Sequence, residues 1–259
     1  MSSILFDIKD NIATITLNRP EAFNSVNTEL AHELIKSLDE CKRNNEVRAI
    51  ILTGSGKAFC AGQDLKEVTD PSLNPGFEVL MKEHYEPILF RLRQIEKPIV
   101  AAVNGVAAGA GANFALACDI ILASEKASFI QAFSAIGLIP DSGGTFTLPR
   151  IVGTAKATAL AMLGDKVSAE EAERLGMIYR YFPEDSFQEE VTKIASKLSK
   201  MPTKGLGLTK RAFNQSLGNN FEQQMKLETD LQIEAASTED YAEGVQAFVE
   251  KRKPNFKGK

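Results

Sequence analysis

Residues Ile4–Ile8 and Ile12–Leu17 alternate or run apolar around the polar Lys9-Asp10-Asn11. That pattern around a short polar turn predicts a β-hairpin. From Asn27 the period changes. Leu30, Leu34, Leu38 and Cys41 recur at helical spacing behind a residue type that caps helices, which predicts a helix. Val47–Thr53 reads as a buried strand closed by Gly54-Ser-Gly56. Residues 66–77 carry Asp70-Pro71, Asn74-Pro75 and Gly76, and predict a mobile loop. A helix is expected over Phe77–Gln94, a strand over 98–103, a helix over 110–118 and a strand over Asp119–Ala123.

Beyond Ala155 the character shifts. Helical patterns cover Thr154–Gly164, Ser168–Leu175, Phe187–Leu198, Lys204–Leu217, Phe221–Ala236 and Asp240–Lys251, with one strand-like run at Met177–Phe182. Ser168-Ala-Glu-Glu171 and Asp185-Ser-Phe-Gln188 have the form of capping boxes. Strands alternating with helices predict an α/β core with right-handed crossovers over 1–199. The 200–259 segment reads as a helical region too thin to hold its own core. It should bury its apolar face on the α/β core or on another subunit.

Composition narrows the class. The chain has 259 residues, 44% hydrophobic and 25% charged, ordinary for a globular protein and unlike a disordered one. A net charge of −4 argues against a general nucleic-acid surface. Apolar runs fall short of the ~20 residues a membrane helix needs, and no secretory leader is visible at the start. Cys41, Cys60 and Cys118 are scattered and odd in number, as expected for reduced thiols of a cytoplasmic protein. No His/Cys spacing resembles a metal site, so no metal is expected.

Three segments carry candidate chemistry. Phe59-Cys-Ala-Gly-Gln-Asp-Leu65 and Gly105–Asn113 are small-residue turns that follow strands. They are either plain tight turns or, delivered by neighbouring parallel strands, a pair of N–H donors converging on one oxygen atom. Gly109-Ala-Gly111 lacks the third glycine and the distant acidic residue of a dinucleotide fingerprint. The third segment is Gly137-Leu-Ile-Pro-Asp141-Ser-Gly-Gly-Thr145. Asp141 there is either a helix cap, whose pKa would be held down, or a desolvated general base, whose pKa would be pushed up. Asp64 and Asn104 are expected to brace their turns by side-chain-to-backbone bonds. His32 is expected to be solvated and Cys60 to be a packing residue, whereas His84 is a candidate pocket residue.

Together with Asn18-Arg-Pro20, Lys97-Pro98, Val103-Asn-Gly105, Cys118-Asp119, Gly143-Gly-Thr145 and Phe248-Val-Glu-Lys251, these segments resemble the crotonase, or enoyl-CoA hydratase/isomerase, superfamily almost end to end. The resemblance implies a spiral of ββα units followed by a helical trimerisation region, assembled as a homotrimer or a dimer of trimers. It also implies an acyl-CoA thioester substrate and stabilisation of a thioester enolate. No cofactor is implied beyond the CoA of the substrate, and neither nucleic acid nor membrane is an implied partner.

Matched residue by residue, the oxyanion donors would be the N–H groups of Gln63 and Ala110. Where hydratase members carry two glutamates, this chain has Asn113 and Phe133, a departure that favours a single-carboxylate isomerase. The family's isomerases and dehalogenases place an aspartate where Asp141 stands. Substrate contacts would come from Ala61, Asp64, Leu65, His84, Phe133, Ile136 and Leu138, and CoA contacts from Lys57 and Lys251. Ala132-Phe-Ser134, Lys204-Gly-Leu-Gly-Leu208 and Glu243-Gly-Val-Gln-Ala-Phe-Val249 narrow the resemblance to the superfamily's isomerases of ring-epoxide thioesters. A Δ3,Δ2-enoyl-CoA isomerase, a hydratase and a 4-halobenzoyl-CoA-type dehalogenase are the alternatives.

Overall fold

The computed structural model describes residues 2–259. The hairpin forms as its alternation dictates, with β1 (Ile4–Lys9) antiparallel to β2 (Ile12–Leu17). Asn27 caps α1 (Thr28–Arg43) by accepting from the Leu30 N–H, and the Leu30-Leu34-Leu38-Cys41 stripe is buried.

From β3 onward the chain repeats one unit. A long buried strand is followed by a short strand in a second sheet, then by a helix that returns to the first sheet. The units are β3 (Ala49–Gly54) with β4 (Ala58–Cys60), β5 (Ile99–Val103) with β6 (Val106–Ala108), and β7 (Ile120–Ser124) with β8 (Ser128–Ile130). The long strands join the hairpin and β10 (Arg180–Phe182) in a six-stranded sheet of order β1-β2-β3-β5-β7-β10, parallel from β2 onward. The short strands join β9 (Val167–Ser168) in a four-stranded sheet of order β4-β6-β8-β9.

The central strands are apolar at consecutive positions because both faces are covered. Ile50 and Leu52 enter the main core with α1 and the small sheet. Ala49 and Ile51 face Phe187, Val191 and Ala195 of α9 (Glu184–Ser199). Between β4 and β5 lie α2 (Leu65–Thr69), α3 (Phe77–Val79), a π-helical stretch (Leu80–Tyr85) and α4 (Glu86–Gln94). After β6 and β8 come α5 (Ala110–Ala117), α6 (Gly144–Val152), α7 (Thr154–Leu163) and α8 (Ala169–Arg174).

The chain ends in α10 (Thr203–Ser216), α11 (Phe221–Ala236), α12 (Glu239–Val249) and an extended tail. Arg48 donates to the carbonyls of Met201 (2.5 Å) and Phe256 (2.8 Å), and so ties this tail to the core. Phe213, Phe221 and Phe248 remain exposed on these helices. Among the described residues no helix is long and apolar enough to cross a membrane.

Four readings of the sequence change. Gly105–Asn113 is not one turn, because β6 occupies Val106–Ala108 within it. Three small residues show no alternation, and the partners that make them a strand lie in β4 and β8, remote in sequence. The 66–77 stretch begins with helix α2, and the Asp70 and Asn74 side chains close its turns on Ser72 and Gly76. Asp185 is not a cap: α9 starts one residue earlier, after Pro183, and Asp185 lies in its first turn. The strand at 177–182 shortens to Arg180–Phe182, the residues that meet β7.

Gly111 and Gly105 set how closely the two sheets' turns approach. A Cβ on Gly111 would fall 2.2 Å from the Cys60 carbonyl oxygen, and one on Gly105 would fall 2.1 Å from that of Lys57. Both obstacles are backbone and cannot rotate away. Gly111→Ala is therefore expected to destabilise the protein by about 1–3 kcal/mol or more, read as a lower urea midpoint at unchanged slope.

Candidate active site

Parallel strands β4 and β6 pair Ala58 with Val106 and Cys60 with Ala107, and carry two turns side by side. Gly62 has φ +88, and the space where its Cβ would sit is 3.0 Å from the Ala108 oxygen and 3.5 Å from the Ala110 nitrogen. The turns therefore touch backbone to backbone. Gly109 holds φ 54 and ψ −127, a conformation that L-residues avoid, and this bend aims the first N–H groups of α5 out of the strand line. Ala110 itself keeps an ordinary negative φ.

Several neighbouring amides are engaged. Ala61 N–H donates to Phe23, Asp64 N–H to Val26 and Gly109 N–H to Ile130. Among the described residues, the N–H groups of Gln63 and Ala110 have no acceptor. Two unengaged donors on touching turns can share one oxygen atom.

Asp141 lies on the loop between a short 3₁₀ turn (Ser134–Ile136) and α6. Its carbonyl accepts from Gly144 N–H (2.8 Å) and from Asn113 Nδ2 (2.9 Å). Its carboxyl Oδ1 is buried with no hydrogen-bond partner. The cap position of α6 is Gly143, with no side-chain cap, so Asp141 is not a helix cap. Burial pushes the Asp141 pKa up, partly opposed by the nearby Ser142 hydroxyl, which makes no hydrogen bond of its own. Ser142 and Gly143 both take left-handed backbone, φ 49 and 73, which folds the loop back on itself.

Asn113 projects from α5, and both ends of its amide are used. Nδ2 donates to the Asp141 carbonyl, while Oδ1 accepts from Gln131 Nε2 at 2.9 Å. A glutamate there could not donate to that carbonyl, and would add a second carboxylate beside the Asp141 loop. Phe133 is buried, with its ring tip 3.8 Å from where a Gly109 Cβ would stand. An aromatic ring thus lies against the donor turn.

The remaining predicted site residues fall into distinct surroundings. Asp64 does brace its turn: it accepts from Lys66 N–H and pairs with Arg19 at 2.7 Å. Both carboxylate oxygens are engaged within the fold. Leu65, Ile136 and Leu138 are exposed apolar side chains, and Ala61 is half-buried. His84 is buried, edge-on to His32 of α1 at 5.3 Å between ring centroids. Burial, then the proximity of His32, lower its pKa and favour the neutral ring. Lys57 and Lys251 are exposed, and neither has an ion-pair partner among the described residues. Among the described residues no group of three or more His, Cys, Asp or Glu could hold a metal ion.

Tyr85 is a site residue that the sequence pattern does not reveal. It is buried, and its hydroxyl donates to Gln63 Oε1 at 2.5 Å. Burial first, and then the Asp141 charge, hold its pKa well above the usual value. A tyrosine among charged residues of a helical stretch gives no sign of this, because Gln63 and Asp141 reach it from other units.

The comparisons with known proteins agree with this geometry. The family described as enoyl-CoA hydratase/isomerase matches residues 7–259. The chain is 45% identical over 257 residues to a Rhodobacter capsulatus protein named "Probable enoyl-CoA hydratase", covering 99% of this chain and 98% of that one. It is 44% identical over 263 residues to the 1,2-epoxyphenylacetyl-CoA isomerase of Escherichia coli, covering all of both chains. The crystal structure of an enoyl-CoA hydratase from Bacillus anthracis superposes with a TM-score of 0.91 at 33% identity, over 99% of this chain and 100% of that one. The spiral of ββα units is therefore the crotonase fold, and this chain belongs to the enoyl-CoA hydratase/isomerase family, whose members act on acyl-CoA thioesters.

Proposed function

We propose that the protein is an isomerase of acyl-CoA thioesters that moves a proton with one carboxylate, and that its substrate is 2-(1,2-epoxy-1,2-dihydrophenyl)acetyl-CoA. The reading is carried by the buried, unpartnered Oδ1 of Asp141. It is supported by Asn113 and Phe133 at the two positions where a hydratase would need carboxylates. The full-length similarity to the E. coli isomerase supports the choice of ring epoxide.

The thioester oxygen sits between the N–H groups of Gln63 and Ala110, where charge develops as the enolate forms. The arene oxide opens to its seven-membered oxepin tautomer without gain or loss of atoms. Asp141 takes a proton from the carbon next to the thioester and returns it to the ring carbon two bonds away, leaving an exocyclic double bond conjugated to the thioester. A raised pKa suits both halves of this exchange, since the same group must accept and then release the proton. Substrate and product have one formula, so the step needs no redox partner. Phe133, Ile136 and Leu138 would flank the ring, and Lys57 and Lys251 would meet the CoA phosphates.

Three outcomes test this reading. Asp141→Asn should cut isomerisation by at least about 10²-fold while thioester binding persists, and the wild-type kcat/KM should rise with pH along a limb above about 3.9, the value of a free aspartate. Because the folded-state pKa is raised, ionising Asp141 costs stability as pH climbs from the ordinary carboxylate range through the folded pKa. The variant should therefore melt higher than wild type at neutral pH and equally in acid; near-normal turnover by the variant would place the base elsewhere.

With purified protein, kcat/KM should be highest for the ring epoxide, lower for a linear 3-enoyl-CoA and negligible for hydration of a 2-enoyl-CoA. Efficient hydration would overturn the isomerase reading. The exposed Phe213, Phe221 and Phe248 are assigned to contacts between copies of the chain. Light scattering should give three or six times the 28.2 kDa chain mass, and a monomer would refute that assignment.

A further inference from the structure

Gln63 is held on two sides while its N–H stays free. On the backbone side, Val26 N–H donates to Gly62 (2.7 Å) and Asp64 N–H donates to Val26 (2.9 Å), forming a parallel bridge. On the side-chain side, Nε2 points to Glu67 Oε2 at 3.2 Å. A carboxylate can only accept, so this contact fixes which way the amide faces. Oε1 is thereby left for the Tyr85 hydroxyl, at 2.5 Å. Glu67 is itself anchored, its other oxygen accepting from the N–H and hydroxyl of Thr28 at 2.9 and 2.8 Å. Turning Gln63 enough to re-aim its N–H would break both side-chain bonds.

Tyr85 also touches the element that carries the second donor. Its ring packs edge-on against Phe114 of α5, with 5.9 Å between centroids, and α5 begins with Ala110. The π-helical stretch Leu80–Tyr85 is what delivers this residue, and such stretches are frequent at functional sites. We propose that Tyr85 is a positioning residue that holds the two oxyanion donors at a fixed spacing and aim, through its hydroxyl on Gln63 and its ring on Phe114. The inference rests on the oxyanion role assigned above to Gln63 and Ala110. Glu67 and Thr28 complete the clamp from the far side.

The test uses the full-length protein and phenylacetyl-CoA labelled with ¹³C at the thioester carbonyl, an inert probe with no epoxide or double bond to move. Bound to wild type, its carbonyl stretch should shift to lower frequency as the donors polarise it. Tyr85→Phe keeps the ring and Gln63→Met keeps the peptide N–H, yet each removes the clamp. Both should shrink the shift and lower kcat about tenfold at little-changed KM, short of the about 10²–10³ loss seen when a donor is deleted. The double variant should lose no more than either single one, since both break the same contact. Should Tyr85→Phe fail to fold, Gln63→Met carries the same readout. A wild-type shift that both variants retain, or losses that add in the double variant, would overturn the clamp and leave the oxyanion reading standing. No shift in wild type would overturn both.

Discussion

The contact on which the site depends is one of backbone against backbone. The turn after β4 and the start of α5 approach so closely that Gly111 has no room for a Cβ against Cys60, and Gly62 lies against Ala108 and Ala110. Side chains could not hold two amide groups this near each other. Each methyl group added at the seam would push the donors apart, and hydrogen bonding falls off steeply with misalignment. The small residues that make this stretch look featureless are what bring two N–H groups to one place. The spiral supplies the rest, since β4 and β6 are adjacent only because β3 and β5 are adjacent in the larger sheet.

Around that seam the protein separates its polar groups by purpose. Asn113, Gln63 and Glu67 are spent on neighbouring side chains or on the backbone, and they fix loops. The Asp141 Oδ1 is left unsatisfied. An unpaired buried carboxyl is costly, and unpaired groups of this kind concentrate where reactivity is needed. Asn113 makes the difference concrete. From the same helix position a carboxylate would stand beside the Asp141 loop and could not donate to it, whereas the amide holds the loop.

The two ends of the site have different supports. The donor side is rigid because strands and a helix terminus define it. Asp141 sits on a loop folded by two left-handed residues, Ser142 and Gly143, and that loop is held by the amide of Asn113. Tyr85 reaches across, bonded to Gln63 and raised in pKa partly by the Asp141 charge. The hydroxyl stays protonated and remains a donor throughout the working range.

By itself the sequence determined the hairpin, α1 with its Asn27 cap, the buried strands and the helical C-terminal region, because period and capping chemistry are local. It also marked both donor turns and Asp141, because runs of small residues and a lone carboxylate among apolar neighbours are visible in one dimension. Tertiary structure alone decided the rest. β6 exists because β4 and β8 flank it, and three small residues carry no strand signal of their own. Whether Asp141 capped a helix or lay buried and unpaired depended on what surrounds it, and the pairing of Asp64 depended on Arg19, 45 positions away. Tyr85 was illegible for the same reason. A side chain's role is set by the groups it meets, and those groups arrive from segments whose separation along the chain leaves no periodic trace.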